Sequence, residues 1–391
     1  MSPMMRGGRG LWVLVGALCL SACSVLDNYW LGKDNTIMPS ALPEIKALYH
    51  FKLLWTHAIG AVSSKAQDLY VQPAARGGRV WVASTQGDIF AFHAKDGRVI
   101  WTQKTHEVTT VGPVLGDGLV FVGTASGSIF ALDAATGHIR WQRKLKGDVF
   151  AKPVLVSGTL IVKTVDGHLY NLDARTGNKR WRVDHGGPHV SLRASASPVV
   201  QDNTIYATYA DGHLEAVDLA TGQVKWNRSV TYATNTGLLE GMADIDATPI
   251  IRGSTIYIAS YQGLLGAFSL EDGHFLWQKS VSVYKNMLLE GQSLYFIDSA
   301  DTLWAYDTQQ GRVLWKQEAL KARAVTSPVR LGNALLLGDK TGYLHVVSRE
   351  DGALLGRTMV TGPILSAATT VGNIAFVQSS NGVVSAYRVQ P

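Results

Sequence analysis

The sequence is poor in cysteine and contains none of the common catalytic motifs. Only 2 of its 391 residues are cysteines, Cys19 and Cys23, and both lie near the N-terminus. We therefore expect the body of the chain to hold no disulfide and to depend for stability on burial of apolar side chains. No Gly-x-Ser-x-Gly elbow, His-Glu-x-x-His motif or phosphate-binding glycine loop occurs, which argues against the enzymes that use them. We predict no catalytic residue.

The sequence also lacks a concentrated run of one charge. It has 36 Lys and Arg residues against 30 Asp and Glu residues, for a formal net charge of +6, and the basic residues are scattered along the chain. Nucleic-acid-binding domains usually gather their basic residues into a patch or stripe. We expect no nucleic-acid partner.

What the sequence does contain is one repeated phrase: Asp, a short spacer, Gly, three residues and Trp. Six copies end at Trp101, Trp141, Trp181, Trp226, Trp277 and Trp315, and a seventh has Gly356 in place of the Trp. Successive anchors lie 38 to 51 residues apart. This is the period of a four-stranded propeller blade rather than that of a helical or leucine-rich solenoid. We predict that the tryptophans fill the space between blades.

Each repeat has the pattern of a four-stranded meander. In residues 196–226, four short runs are separated by turns at 201–203, at Asp211-Gly212 and at 220–222. Glycine supplies the positive φ that such tight turns need. Several runs are apolar without strict alternation, which is typical of a sheet covered on both faces. Neighbouring blades would provide that cover.

The two ends of the chain together supply one more blade. Three strand-like runs follow Gly356, and the missing fourth run is at residues 51–57. Pairing the first strand with the last removes open sheet edges. We therefore predict an all-β fold, an eight-bladed β-propeller of four-stranded antiparallel blades over residues 51–391, closed by the N-terminal strand.

The first residues have the pattern of a secretory signal. Arg6 and Arg9 precede an apolar run at residues 11–20, which is long enough for a signal but too short to span a bilayer. The run ends in Leu20-Ser21-Ala22-Cys23, which resembles the bacterial lipobox.

The lipobox resemblance implies three further properties. Residues 1–22 would be removed as a lipoprotein signal peptide, and Cys23 would be acylated as the mature N-terminus. Ser24, where an Asp would retain the protein in the inner membrane, implies sorting to the outer membrane. Residues 23–50 lack the repeat, and we predict that they form a flexible tether.

Two connections between repeats are unusually long. They lie between Trp181 and Pro198 and between Trp226 and Pro249. Each joins the outer strand of one blade to the inner strand of the next, so we expect both on the same rim of the disc. Their Arg, acidic and aliphatic residues suit a protein-binding patch, although long loops packed over a blade edge are the plain alternative.

Metal-binding patterns in these connections are incomplete. His185 and His189 flank a Gly-Gly-Pro turn, but a zinc site needs further ligands and none stands nearby in the sequence. Asp244-Ile245-Asp246 lacks the later oxygen ligands of a calcium loop. We predict no metal ion and no cofactor.

The whole pattern resembles the BamB family, lipoproteins of the bacterial outer-membrane β-barrel assembly (BAM) complex whose repeats are of the pyrroloquinoline-quinone (PQQ) type. In that family a Leu-Ser-Leu-Arg loop and an Asp-x-Asp segment bind the periplasmic POTRA domains of BamA. The matching residues here are Val190, Leu192 and Arg193, with Val for the first Leu, and Asp244 and Asp246. The resemblance implies a non-enzymatic scaffold, at the periplasmic face of the outer membrane, that assists folding and insertion of β-barrel proteins. Direct contact with unfolded precursors is left open.

Two other functions share the fold. A PQQ-dependent quinoprotein dehydrogenase is disfavoured because those enzymes are larger, and because this chain lacks their adjacent-cysteine disulfide and a calcium ligand set beside a catalytic Asp. A glycan-binding propeller could place aromatic side chains in the clefts at the top of its blades. Binding of BamA, of quinone or of glycan would separate the three functions.

Overall fold

The computed structural model describes residues 37–60, 71–185, 196–230, 245–261 and 263–391. The chain divides into two compact units, Met1–Pro39 and Ser40–Pro391. Every regular element in the described residues is a β-strand. Within these same ranges, no helix has the length and apolar character needed to cross a membrane.

The strands number thirty-two in the described part of the chain, in eight sheets of four. The first sixteen are β1 (His50–Ala58), β2 (Ala74–Arg76), β3 (Arg79–Ala83), β4 (Asp88–His93), β5 (Val99–Lys104), β6 (Thr109–Gly116), β7 (Leu119–Thr124), β8 (Ser128–Asp133), β9 (Ile139–Lys144), β10 (Val154–Val156), β11 (Thr159–Lys163), β12 (His168–Asp173), β13 (Lys179–Asp184), β14 (Val199–Gln201), β15 (Thr204–Thr208) and β16 (His213–Asp218). The others are β17 (Val224–Ser229), β18 (Ile250–Arg252), β19 (Thr255–Ala259), β20 (Leu264–Ser269), β21 (Phe275–Ser280), β22 (Leu288–Glu290), β23 (Ser293–Ile297), β24 (Leu303–Asp307), β25 (Val313–Gln317), β26 (Val329–Leu331), β27 (Ala334–Gly338), β28 (Tyr343–Ser348), β29 (Leu354–Met359), β30 (Thr369–Val371), β31 (Ile374–Gln378) and β32 (Val383–Gln390).

The sheets confirm the eight-bladed propeller. Blades one to seven are consecutive antiparallel meanders, from β2–β5 to β26–β29. The eighth has the order β1-β32-β31-β30, with His50 opposite Gln390 and Ala58 opposite Val383. The N-terminal strand therefore closes the ring, as the repeat pattern predicts.

The hydrophobic core lies between the blades. Middle strands such as β7 and β11 are buried at every position, which explains their apolar runs without alternation. One buried cluster joins Phe121 of blade two to Leu160 and Val162 of blade three. Equivalent clusters join the other neighbouring blades that the structure describes.

The repeated tryptophan locks one blade to the next at seven of the eight blade boundaries. The indole of Trp101 packs on Gly137 of blade two, and its Nε1 atom donates to the carbonyl oxygen of Ala134 at 3.2 Å. Gly137 has a φ of 78°, and a Cβ atom there would lie 2.6 Å from the indole ring. The repeat therefore needs glycine at this position for two reasons: the positive φ of the turn and the close approach of the indole ring. The other pairs of this kind are Trp55–Gly97, Trp141–Gly177, Trp181–Gly222, Trp226–Gly273, Trp277–Gly311 and Trp315–Gly352.

Gly356, the anchor without a tryptophan, has a different neighbour. A Cβ atom on Gly356 would lie 2.5 Å from the carbonyl oxygen of Tyr49. The amides of Leu48 and Tyr49 donate to the carbonyl oxygen of Leu355 at 2.7 and 3.0 Å. The chain that leads into β1 thus occupies the space where an indole would stand.

The residues before β1 are also held by arginines. Arg323 donates from Nη1 to the carbonyl oxygen of Ser40, and Arg357 donates from Nη1 to that of Pro43, each at 2.8 Å. The compact unit accordingly begins at Ser40 rather than at residue 51. The predicted tether of residues 23–50 overlaps this unit from residue 40 onwards.

Adding a methyl group at Gly177 should destabilise the fold more than adding one at Gly158. Both glycines have a φ near 70°, but a Cβ atom at Gly177 would lie 2.6 Å from Trp141, whereas one at Gly158 meets nothing within 4 Å. We expect Gly158→Ala to cost about 1 kcal/mol through backbone strain. Gly177→Ala should cost about 1–3 kcal/mol more. Denaturant unfolding of the two variants measures the difference, and equal losses would contradict the tryptophan lock.

Truncation from the N-terminus should reduce stability in steps. A chain starting at Ser40 retains the whole unit and is the reference. A chain starting at His50 loses the contacts around Gly356 and Arg323, so it should melt at a lower temperature. A chain starting at His57 also loses most of β1, leaving β32 with an unpaired edge, and should aggregate. Thermal melts with light scattering test this order, and three equal melting temperatures would refute it.

Candidate functional site

The two long connections leave and re-enter the propeller on one face. The first follows His185, directly after β13, and returns at Ala196 before β14. The second follows Val230, directly after β17, and returns at Ile245 before β18. Both join the outer strand of one blade to the inner strand of the next, in adjacent blades.

Most of the predicted site residues lie outside the described ranges. These are the lipidation residue Cys23 and the partner-binding residues Val190, Leu192, Arg193 and Asp244. His189 lies outside them as well. Asp246 is described, and it borders a cavity of about 740 Å³ to which the first strands of several blades contribute.

Asp246 acts on a buried lysine beneath the rim. Lys163, at the end of β11, is fully buried, and its Nζ atom donates to the carbonyl oxygen of Thr208 on β15 at 2.7 Å. The ammonium also lies 5.8 Å from the centre of the Tyr209 ring. Burial lowers the pKa of Lys163 to about 8, and attraction by Asp246 opposes part of that shift. Asp246 therefore stabilises a charge inside the fold.

A second polar cluster surrounds His185 where the first long connection begins. Its Nδ1 atom lies 2.7 Å from Oε1 of Glu215, and its Nε2 atom lies 2.8 Å from Oδ2 of Asp211. The imidazole stacks on Tyr209 with the ring centres 3.7 Å apart. Burial alone would lower the pKa of His185, but the two carboxylate hydrogen bonds raise it to about 9. At neutral pH this side chain is an imidazolium between two carboxylates.

The carboxylates are themselves held in place. Burial alone would raise the pKa of Asp211, but the hydrogen bond and charge of His185, together with His213, lower it below its ordinary value. Oε1 of Glu215 also accepts from Nδ2 of Asn227 at 2.9 Å. His213 lies on the other side of Asp211, with Nδ1 at 3.1 Å from Oδ2. The cluster thus joins the end of blade three to blade four.

Sequence reasoning missed Lys163, Asp211 and Glu215. Two of them carry a signal that comparison of the repeats could have found. Lys163 ends a second strand, where other blades have Ala83 or Gly338, and Glu215 stands where blades one and two have Phe90 and Phe130. A charged residue in a strand buried on both faces needs a partner, and such a position marks a polar site.

Comparison with known proteins identifies the family. A family model described as outer membrane protein assembly factor BamB matches residues 86–317 and 311–390. The assembly factor BamB of Legionella pneumophila (strain Paris) is 41% identical over 95% of this chain and 98% of its own length. This chain belongs to the BamB family. BamB of Bordetella pertussis is 30% identical over 96% of both chains.

Solved structures agree with this assignment. The crystal structure of BamB from Moraxella catarrhalis superposes with a TM-score of 0.77 and 27% identity, covering 87% of this chain and all of that one. The quinohemoprotein alcohol dehydrogenase of Comamonas testosteroni superposes with a TM-score of 0.69 at 16% identity, covering 86% of this chain and 76% of the enzyme. That second likeness shows a common propeller fold and no more.

Lys163 should make the stability of this BamB-family propeller rise with pH between about 8 and 10.5. Its folded-state pKa of about 8 lies below the ordinary value of 10.5, so in this window the unfolded chain binds more protons than the folded one. Lys163→Met removes this contribution. The free energy of unfolding of the original protein should therefore rise relative to the variant across the window. Denaturant unfolding of both proteins at several pH values measures this, and parallel curves would contradict it.

Proposed function

We propose that this protein is a non-enzymatic scaffold of the BAM complex that binds the POTRA domains of BamA and assists folding and insertion of β-barrel outer-membrane proteins. Membership of the BamB family supports the assembly role. The observation that carries the binding site is the shared face of the two long connections, which emerge from adjacent blades at His185 and Val230. A partner domain can contact both connections at once.

The proposed contact residues are Val190, Leu192, Arg193, Asp244 and Asp246. Arginine offers a planar fork of donors to carboxylates or carbonyl groups, and flanking aliphatic side chains exclude water around it. Asp246 has a second task, because it stabilises the buried charge of Lys163. A change at Asp246 therefore alters both the partner surface and the fold beneath it. Arg193 and Leu192 are the cleaner positions for a binding test.

The proposed location is the periplasmic face of the outer membrane, with the chain anchored by lipid on Cys23 after removal of residues 1–22. The compact unit begins at Ser40. Residues 24–39 can span at most about 55 Å when fully extended. This length would let the propeller reach a partner some distance from the lipid surface.

The dehydrogenase alternative has little support in this chain. The likeness to the quinohemoprotein enzyme is one of fold at 16% identity. The two cysteines, Cys19 and Cys23, are not adjacent in sequence, so the chain cannot form the adjacent-cysteine disulfide of those enzymes. In the residues that the structure describes, nothing we have identified points to a glycan-binding site.

Arg193→Glu should abolish most binding to the purified POTRA domains of BamA, and Leu192→Ala should weaken it by about 1–3 kcal/mol. The matched control is Arg175→Glu. Arg175 is an exposed arginine in the turn between β12 and β13, on the opposite face of the disc. Arg175→Glu changes the net charge of the protein by the same amount as Arg193→Glu. Because Arg175 lies away from the proposed interface, binding should stay unchanged.

The measurement is a pull-down with isothermal titration, accompanied by circular dichroism and a thermal melt of each variant. Surface changes usually alter stability by about 0.5 kcal/mol or less. A folded Arg193→Glu variant that binds like the original protein would place the interface elsewhere on the disc. If Arg193→Glu loses binding only because it unfolds, the connection between Trp181 and Pro198 has a structural role instead.

A further inference from the structure

His185, Asp211 and His213 bring three potential metal-binding atoms together. One imidazole nitrogen of each histidine and one carboxylate oxygen of Asp211 all lie within 4.8 Å of one another. Oδ2 of Asp211 is 2.8 Å from Nε2 of His185 and 3.1 Å from Nδ1 of His213. The residues come from two blades, since His185 follows β13 whereas Asp211 and His213 belong to the turn into β16 and its first position.

Two imidazole nitrogens and one carboxylate oxygen form a familiar zinc-binding donor set. Zinc sites with three protein ligands leave a fourth, tetrahedral position for water or another group. Tetrahedral ligand atoms about 2.0–2.1 Å from zinc are roughly 3.3 Å apart, close to the separations around Asp211. We propose that His185, Asp211 and His213 form a binding site for a divalent first-row metal ion, with zinc the best fit.

The surroundings of His185 support a metal ligand. Oε1 of Glu215 lies 2.7 Å from Nδ1 and can accept a hydrogen bond from it, which leaves Nε2, on the side of Asp211, as the metal-binding atom. Stacking on Tyr209 fixes the plane of the ring. A carboxylate that holds the far nitrogen of a ligating histidine is the usual second partner in zinc sites, because it sets the tautomer and raises the basicity of the ligand.

His213 adds an independent observation. Its Nδ1 atom is buried and has no hydrogen-bond partner in the described part of the chain, although Oδ2 of Asp211 lies 3.1 Å away. A buried nitrogen without a hydrogen bond is costly, and a metal ion would satisfy it. The other carboxylate oxygen, Oδ1 of Asp211, accepts from the backbone amide of His213 at 3.1 Å. This bond holds the carboxylate in its place between the two rings.

The Asp-Gly-His turn alone does not make the site. The same three residue types recur at Asp272 and His274, where Nδ1 lies 2.6 Å from Oδ2. What distinguishes the first turn is the second imidazole supplied by His185 from the preceding blade. The expectation of no metal considers only residues close in sequence, His185 with His189 and Asp244 with Asp246, whereas the closeness of His185 to Asp211 and His213 appears only in the folded ring.

The proposal predicts that the full mature chain, without a polyhistidine tag, binds one zinc ion. Equilibrium dialysis against Zn²⁺ at about pH 8 measures this, because metal binding must displace the proton on His185. His185→Gln and His213→Gln should each weaken binding at least tenfold, and Glu215→Gln should weaken it about 10- to 100-fold. His274→Gln is the control, since it removes an exposed histidine from another Asp-Gly-His turn, and it should bind like the original chain. Substitution by Co²⁺ should give the visible absorption bands of a tetrahedral site.

Three outcomes would overturn the proposal. They are zinc binding by the original chain no tighter than by His213→Gln, equal loss of binding in His274→Gln, and absence of the tetrahedral cobalt bands. His213 is 38% exposed, so its replacement should preserve the fold, and circular dichroism checks this. If His185→Gln unfolds, the comparison of His213→Gln with His274→Gln still decides the result.

Discussion

The ring depends on one contact, an indole of one blade packed on a turn glycine of the next. It joins blades that share no sheet hydrogen bonds. The contact therefore connects one sheet to the next, as backbone hydrogen bonds connect the strands within a sheet. The Nε1 hydrogen bond adds direction to the apolar contact, as for Trp141 and the carbonyl oxygen of Ala174 at 3.0 Å. Because each tryptophan reaches forward to its neighbour, the contact passes around the disc from blade to blade.

The missing tryptophan follows from how the ring closes. The turn glycine that an indole contacts lies between the third and fourth strands of the following blade. In the eighth blade these strands are β32 and β1, the two ends of the chain, so there is no turn between them. The backbone of Leu48 and Tyr49 lies against blade seven where the other boundaries have an indole. Only a glycine at position 356 lets this backbone approach so closely, because a Cβ atom there would clash with the carbonyl oxygen of Tyr49.

The blade period, the role of the tryptophans and the split eighth blade could all be predicted, because they depend on residues that recur at regular spacing. The packing of residues 40–49 could not be predicted in this way. It depends on backbone carbonyl groups, such as that of Ser40, which any sequence provides. The clusters around Lys163 and His185 were missed because their members are far apart in sequence and meet only across two blades. The partner-binding roles of Val190, Leu192, Arg193, Asp244 and Asp246 all remain predictions, and of these residues Asp246 alone lies within the described ranges.

Pairing of β1 with β32 also sets the order in which the molecule can be completed. His50 is among the first residues of the propeller to be synthesised, and its partner Gln390 is the next-to-last residue of the chain. Contacts between residues so far apart in sequence form slowly, because closing the long loop costs conformational entropy before the contact can stabilise the chain. Blades one to seven can form from local contacts as the chain grows, whereas β1 must wait for the end. The last folding step therefore requires β32, and a product cut short before β32 would retain an unpaired first strand.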